Sequence, residues 1–171
     1  FSEKLREIKF DLGIKQFQLV NSKLEYEEDA AKGPGTSKLT FSNINTTIQN
    51  INSGYNKKSL PDVKVDWQSQ FMTGNLKANW TFNPMNRTEK FNINGSITNL
   101  DTKNMDPFIK PYLNVSVDGT FDKIKFNFDG NDKVANGDFG IEYNNLKVNL
   151  LREDGSKKKL LSAIGNAAVK N

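Results

Sequence analysis

Residues 113–130 read LNVSVDGTFDKIKFNFDG, with apolar and polar side chains alternating almost without error. Leu113, Val115, Val117 and Phe121 share one side with Gly119, while Asn114, Ser116, Asp118 and Thr120 share the other. The alternation resumes one residue out of step, setting Ile124, Phe126 and Phe128 against Lys125, Asn127 and Asp129. Successive side chains of a strand point to opposite faces, so this is a β ribbon with one greasy side. A slip of one residue is what a β-bulge produces, and bulges bend a sheet.

The same period extends in both directions. Ile8, Phe10, Leu12 and Ile14 open a series continued by Phe17 and Leu19, then by Leu24 and Tyr26. The segment EEDAAKGPGTSK (27–38) is a breaker built on Gly33-Pro34-Gly35. Beyond it Leu39 and Phe41 alternate, and Ile44, Thr46 and Ile48 carry on with the phase shifted. The middle is more aromatic: Val63, Val65, Trp67 and Phe71 on one ribbon, Leu76, Ala78, Trp80 and Phe82 on the next, then Phe91, Ile93 and Ile97. Lys64, Asp66, Lys77, Asn79, Asn92 and Asn94 sit between them and mark a solvated face. Turn signals lie at 73–75, 83–90 and 129–138, and the last ribbon runs through Phe139, Ile141, Tyr143, Leu146, Val148 and Leu150. The pattern predicts about ten strands. Helical signal is confined to 100–113, with Asp101 as N-cap and interruptions at Pro107 and Pro111, and to the tail 156–171, where Gly165 weakens the pattern and a further extended segment is the alternative.

A chain of 171 residues is about one domain long, and residues 1–171 are expected to form one. Apolar residues make up only 36%, but aromatics reach 11% with Phe the commonest, so the apolar residues present are large. The net charge is +4, yet of 24 Lys and Arg only Arg6, Arg87 and Arg152 are arginine. Scarce arginine argues against sequence-specific nucleic-acid recognition. The chain has no Cys and no His, which removes thiol and Ser–His nucleophiles, the common zinc sites and any disulfide framework. No run approaches the roughly 20 apolar residues of a spanning helix. Phe1 stands where an initiator Met would, so the chain is expected to be a processed or excised piece whose anchor or export signal lies outside it.

Other chemistry is weakly marked. In DGNDKVANGD (129–138), Asp129, Asn131, Asp132 and Asp138 crowd a turn, but Lys133 and Val134 stand where a calcium loop needs Asp or Asn and then Gly. It reads as a hairpin turn. Glu27-Glu28 and Glu153-Asp154 sit among polar residues and read as solvated charges, with no apolar pocket to make either an acid catalyst. Asn-x-Ser/Thr triplets at Asn45, Asn79, Asn86, Asn94 and Asn114 mark polar strand faces, and the basic run SKKKL (156–160) reads as a solvated turn. Trp67 and Trp80 have apolar neighbours on their face, so core or groove suits them better than base stacking. No catalytic residue, metal ligand or cofactor is expected.

The strands therefore raise one question: what covers the apolar side? Helices are too few to do so. Burying a Phe or Ile side chain contributes roughly 1.5–3 kcal/mol, so the face does not remain in water. Either the sheet closes on itself as a self-filled sandwich or barrel, or it curls into an open trough that receives an apolar ligand. The fold expected is mostly β: an antiparallel meander in a strongly curved sheet, half-pipe or open barrel-like sandwich, with one or two short helices. The residues expected to line the trough are Phe10, Leu12 and Phe41, then Trp67, Phe71, Trp80 and Phe82, then Phe91, Ile93, Phe121, Phe126, Phe128, Phe139 and Ile141.

The stretch FNINGSITNLDTKNMDPFIKPYLNVSVDGTFDKIKFNFDG (91–130), followed by ANGDFGIEYNNLKVNLL (135–151), resembles the C-terminal part of AsmA-like proteins of the large Bacteroidetes type. The elements that carry it are Gly95-Ser96-Ile97 with Leu100-Asp101, the connector through Asp106-Pro107, Gly119-Thr120-Phe121, and Tyr143 through Val148 with Leu150-Leu151. Roughly residues 60–151 bear the likeness, and the first 50 agree only in strand pattern. The resemblance implies a periplasmic or envelope protein, anchored in the inner membrane by an N-terminal segment absent from this chain. It also implies kinship with the β-groove proteins of the AsmA, TamB and chorein-type group, in which acyl chains of phospholipids move between membranes and outer-membrane biogenesis is served. That family offers no catalytic residues to carry over. A structural or adhesive cell-surface β-sandwich with a self-filled core is the alternative.

Overall fold

The computed structural model describes residues 2–29, 36–113 and 115–151. Its strands are β1 (Gly13–Asp29), β2 (Thr36–Asn52), β3 (Val63–Phe71), β4 (Gly74–Phe82), β5 (Phe91–Asp101), β6 (Val115–Gly130) and β7 (Ala135–Leu150). They form one antiparallel sheet whose spatial order is the chain order, so β1 and β7 are its two edges and the sheet is not closed. Two short helices, α1 (Ser2–Glu7) and α2 (Asp106–Leu113), complete the described chain, with a 3-10 turn at Thr102–Met105 leading into α2. The tail and its basic run at 156–171 lie outside the described residues, as do Glu153-Asp154 and Asn114.

The meander is as expected, with seven strands among the described residues where the alternation predicts about ten. The ribbons opened by Phe17, Leu19, Leu24 and Tyr26 are one strand of 17 residues, because the phase slips that seemed to divide it are bulges inside it. Residues 8–12, which also alternate, precede β1. Register confirms the slips read from the sequence, with shifts at Ser42/Asn45 against β3 and at Phe121/Lys123 against β7. A further pair occurs at Leu19/Ser22 and Ser22/Leu24.

Positive-φ asparagine accompanies several phase steps, although not the one at Phe121/Lys123. Asn21, Asn43, Asn50, Asn99 and Asn145 all have positive φ inside or beside strands, a conformation Asn tolerates better than other side-chain-bearing residues. Four of them come immediately before the residue that resumes the apolar face: Ile44, Ile51, Leu100 and Leu146. In each case the apolar position steps by three where a flat strand steps by two. Ile48 and Ile51 consequently pack on the same cluster despite their odd spacing.

Register aligns the apolar side chains in rows across the sheet. Val65, Trp80, Ile93 and Phe128 pair in sequence from β3 to β6, and so do Trp67, Ala78, Gly95 and Phe126. Asp66, Asn79, Asn94 and Asn127 form the corresponding polar row behind them. A slip of one residue in any strand would exchange these faces, which is why the register is tightly specified.

Two buried clusters occupy opposite ends of the apolar face. At one, Leu5 of α1 packs with Val63 and Phe82, surrounded by Ile8, Ile48, Ile51, Val65, Trp80 and Phe91. At the other, Phe71, Leu100 and Ile124 pack with Leu39, Phe41, Met72, Leu76, Ile97, Phe121 and Met105 of the 3-10 turn. The turn begins as the sequence indicates: the Asp101 carboxylate accepts from the Lys103 backbone N–H at 3.0 Å. Thr102 is fully buried and its hydroxyl lies 2.9 Å from the carbonyls of Val117 and Gly119, which ties the connector to β6. From there α2 contacts both β2 and β6.

Gly95 sits in the middle of the sheet with the Phe126 ring over it. A Cβ there would stand 2.4 Å from the Lys77 carbonyl oxygen, 2.7 Å from the ring and 3.0 Å from Ala78 Cα. Backbone on a neighbouring strand does not yield as a flexible side chain does, so Gly95→Ala is expected to cost about 1–3 kcal/mol of stability in urea unfolding. Gly140→Ala, where a Cβ meets nothing within 4 Å, is expected to fall within about 0.5 kcal/mol of wild type.

Candidate functional site

Between the two clusters the apolar face is not filled. Val65 and Trp67 of β3, Leu76, Ala78 and Trp80 of β4, Ile93 of β5 and Phe126 of β6 surround a pocket of about 210 Å³. Alternation places all of them on one face, and register brings four strands' contributions together. Ala78 and Gly95, adjacent in the row between Trp67 and Phe126, are the small residues that leave the space.

The walls are aromatic and held in place. Phe41 meets Trp67 edge-on with ring centroids 6.1 Å apart and packs on Phe71 at 5.1 Å, while Trp80 lies against Phe82 at 4.8 Å. Such pairs favour fixed orientations over a mobile aromatic surface. The Trp67 indole N–H donates to the Ser69 hydroxyl at 2.9 Å, so its polar atom is satisfied without a ligand. Every lining side chain is apolar apart from the indole nitrogens. The site can therefore sequester hydrocarbon, but it holds no acid, base or nucleophile.

Both ends of the pocket are bounded. Val65 and Trp80 belong to the pocket wall and to the packing around Leu5, and Leu76 belongs to the wall and to the opposite cluster. The α1 end is secured by Arg6, whose guanidinium donates to the Pro84 carbonyl at 2.8 Å, to the Asn86 carbonyl at 3.0 Å and to the Glu89 carboxylate. Behind α1, buried Ser53 fastens the following segment: its hydroxyl donates to the Phe10 carbonyl at 2.7 Å and accepts from the Leu12 N–H at 3.1 Å. Burial pushes the Glu89 carboxyl up, but hydrogen bonds from Arg6 and Ser2 and the Arg6 charge outweigh it and hold the group below the usual carboxylate range.

Of the residues expected to line a trough, Trp67, Trp80, Ile93 and Phe126 line the pocket. Phe71, Phe41 and Phe121 lie in the cluster at the α2 end, and Phe82 and Phe91 in the cluster at the α1 end. Phe128 is half-buried beside Ile93 in register. Phe139 and Ile141 lie on edge strand β7 and are 59% and 41% exposed. Phe10 precedes β1 and is 61% exposed, and Leu12 is half-buried there. Val65, Leu76 and Ala78 line the pocket without having been among those candidates, although alternation had put them on the right face. Ile8 stands in the alternating series, but Leu5 could be found only by seeing a helix in SEKLRE, too short to show a period.

The remaining sequence features are ordinary structure. Residues 131–134 turn the β6–β7 hairpin, with Asn131 Oδ1 accepting from the backbone N–H of Lys133 at 2.8 Å and of Val134 at 3.1 Å. Glu27 is exposed and paired with Lys38 at 3.0 Å. Among the described residues no three acidic groups converge in a way that could hold a metal ion, and no helix is long and apolar enough to cross a membrane. Comparison with protein-family models, curated proteins and solved structures finds no match.

The Arg6–Glu89 pair makes stability depend on pH. A carboxyl whose pKa is depressed by folding contributes stability that is complete above its unfolded value and lost as pH falls through the folded one. The wild type is therefore expected to lose stability on acidification below the ordinary carboxylate range more steeply than Glu89→Gln. Urea midpoints should differ at neutral pH and converge under acid. Equal pH slopes would show that the pair adds nothing.

Proposed function

We propose that this chain is a non-enzymatic lipid-binding module, a segment of an AsmA-like protein of the bacterial envelope, holding acyl chains on the apolar face of its sheet. The observation that carries the reading is the pocket of about 210 Å³, walled by apolar side chains on a face that no second sheet covers among the described residues. Apolar cavities of about 150 Å³ stay dry and take up benzene, so hydrocarbon is the fitting occupant.

Magnitude favours transfer over permanent retention. At about 30 Å³ per water-sized group the pocket takes roughly seven methylenes. Burying them contributes about 0.8 kcal/mol each, or roughly 6 kcal/mol before the costs of association. Association costs of about 4 kcal/mol or more leave roughly 2 kcal/mol or less, so the pocket by itself holds hydrocarbon weakly, as a site that loads and unloads does. The resemblance supplies the setting: an envelope or periplasmic protein, anchored in the inner membrane through a segment outside this chain, handling phospholipid. A polar outer face, where Asp66, Asn79, Asn94 and Asn127 align, suits a module bathed in water on that side.

The alternative, a structural or adhesive β-sandwich, draws on the two packed clusters at the ends of the face. It requires a second layer over Trp67 and Trp80, and the single seven-stranded sheet offers none among the described residues.

Trp67 and Trp80 are the chain's two tryptophans, and both line the pocket, so intrinsic fluorescence reports occupancy directly. A brominated phospholipid is expected to quench the delipidated protein saturably. Ala78→Phe puts a ring into the space and is expected to leave the fold intact while weakening that binding at least about tenfold, the effect of losing roughly 1.4 kcal/mol. No quenching of the wild type would defeat the reading. Equal quenching of the variant would move the lipid off this face.

A further inference from the structure

Resting on the acyl-chain reading above, we propose that α1 is a stopper that sets the length of chain the site accepts, and that Arg6 is the latch holding the stopper in place. The pocket runs along β4 through Leu76, Ala78 and Trp80. The next inward position on that strand is Phe82, and Leu5 of α1 packs on it, itself only 7% exposed. A chain lying in the pocket therefore meets Leu5 at one end.

At the other end it meets the sheet's own packing. Gly74 is the inward position before Leu76, and even a Cβ there would stand 2.9 Å from Ile97 Cγ2 and 3.0 Å from Leu100 Cβ. Leu76 itself packs against Phe71, Leu100 and Ile124. These residues belong to hydrogen-bonded strands, so this end is fixed.

The α1 end is built differently. Six residues are too few for a helix to persist alone, so α1 depends on its contacts. Those contacts are the burial of Leu5, the grip of Arg6 on Pro84, Asn86 and Glu89 of the β4–β5 connection, and a lesser hydrogen bond from buried Ser2 to Glu89. No backbone hydrogen bond among the described residues joins α1 to the sheet. A few side chains, Arg6 foremost with three acceptors, thus fix a small element across the line of the pocket, whereas the opposite end can open only if the sheet unfolds.

The geometry gives a length. From Leu76 to Trp80 is four residues, about 14 Å at roughly 3.4 Å per residue. An extended chain advances about 1.2 Å per bond, since a residue's three bonds span at most about 3.6 Å. The site between its stoppers therefore spans about twelve carbons, of which the pocket of about 210 Å³ encloses roughly seven and the open side of the face carries the rest. Releasing α1 opens the further two residues to Phe82, about 7 Å or six carbons more.

The test is a series of saturated fatty acids from about eight to about eighteen carbons, read by tryptophan fluorescence on the full chain. Wild-type affinity is expected to rise with each methylene to about twelve carbons and then level off. Affinity climbing steadily through the longest chain would overturn the proposal without any variant. In Arg6→Ala, and independently in Leu5→Ala, which keeps the latch but trims the stopper, the plateau is expected to move out by about six carbons, with a gain of more than tenfold for the longest chain. An unchanged plateau in both variants, each melting as a folded protein, would remove α1 from the role. Absence of binding at every length in the wild type would instead defeat the acyl-chain reading itself.

Discussion

Everything in this structure follows from a constraint on one surface: seven strands each present large apolar side chains to the same side, and that side must be kept from water. The sequence provides few small apolar residues and few helices with which to do it. Among the described residues nine large hydrophobic side chains are buried, grouped mainly at the two ends of the face. What lies between is half-buried aromatic surface around a pocket. The chain thus closes the two ends of the face and leaves the centre able to receive something else, while Phe17 and Leu24 of edge strand β1 and Phe139 and Ile141 of edge strand β7 stay exposed.

The two helices are disproportionately important for their size. Neither has the length to be stable alone, and each is placed by a specific device. Arg6 reaches carbonyls of the β4–β5 connection to hold α1, and the Asp101 cap with buried Thr102 aims the connector that becomes α2. The ends of the face therefore depend on polar contacts made at the rim, while the face itself depends on register.

Much of this was legible in the sequence. Alternation from Leu113 to Gly130 identifies a one-faced ribbon, the shifts after Phe41 and Phe121 mark true bulges, and Asp101 is the cap it reads as. The faces holding Trp67, Trp80, Ile93 and Phe126 were readable because period 2 fixes sides without any tertiary information. Strand count was not readable, since a bulge and a strand end look alike when only side-chain alternation is followed. Nor was α1, because one and a half turns carry no periodic signal and Leu5 is buried by partners more than fifty residues away. The placement of Phe139 and Ile141 on an open edge also depends on where the sheet stops, which periodicity does not encode.

The positive-φ asparagines repay a closer look. In an ordinary strand, one extra residue turns everything beyond it inside out. Here Asn43, Asn50, Asn99 and Asn145 each absorb an odd count locally, restoring the proper sides within a residue. Each works as a joint that lets the ribbon change direction without turning over, so the oily side stays continuous from one end of the strand to the other.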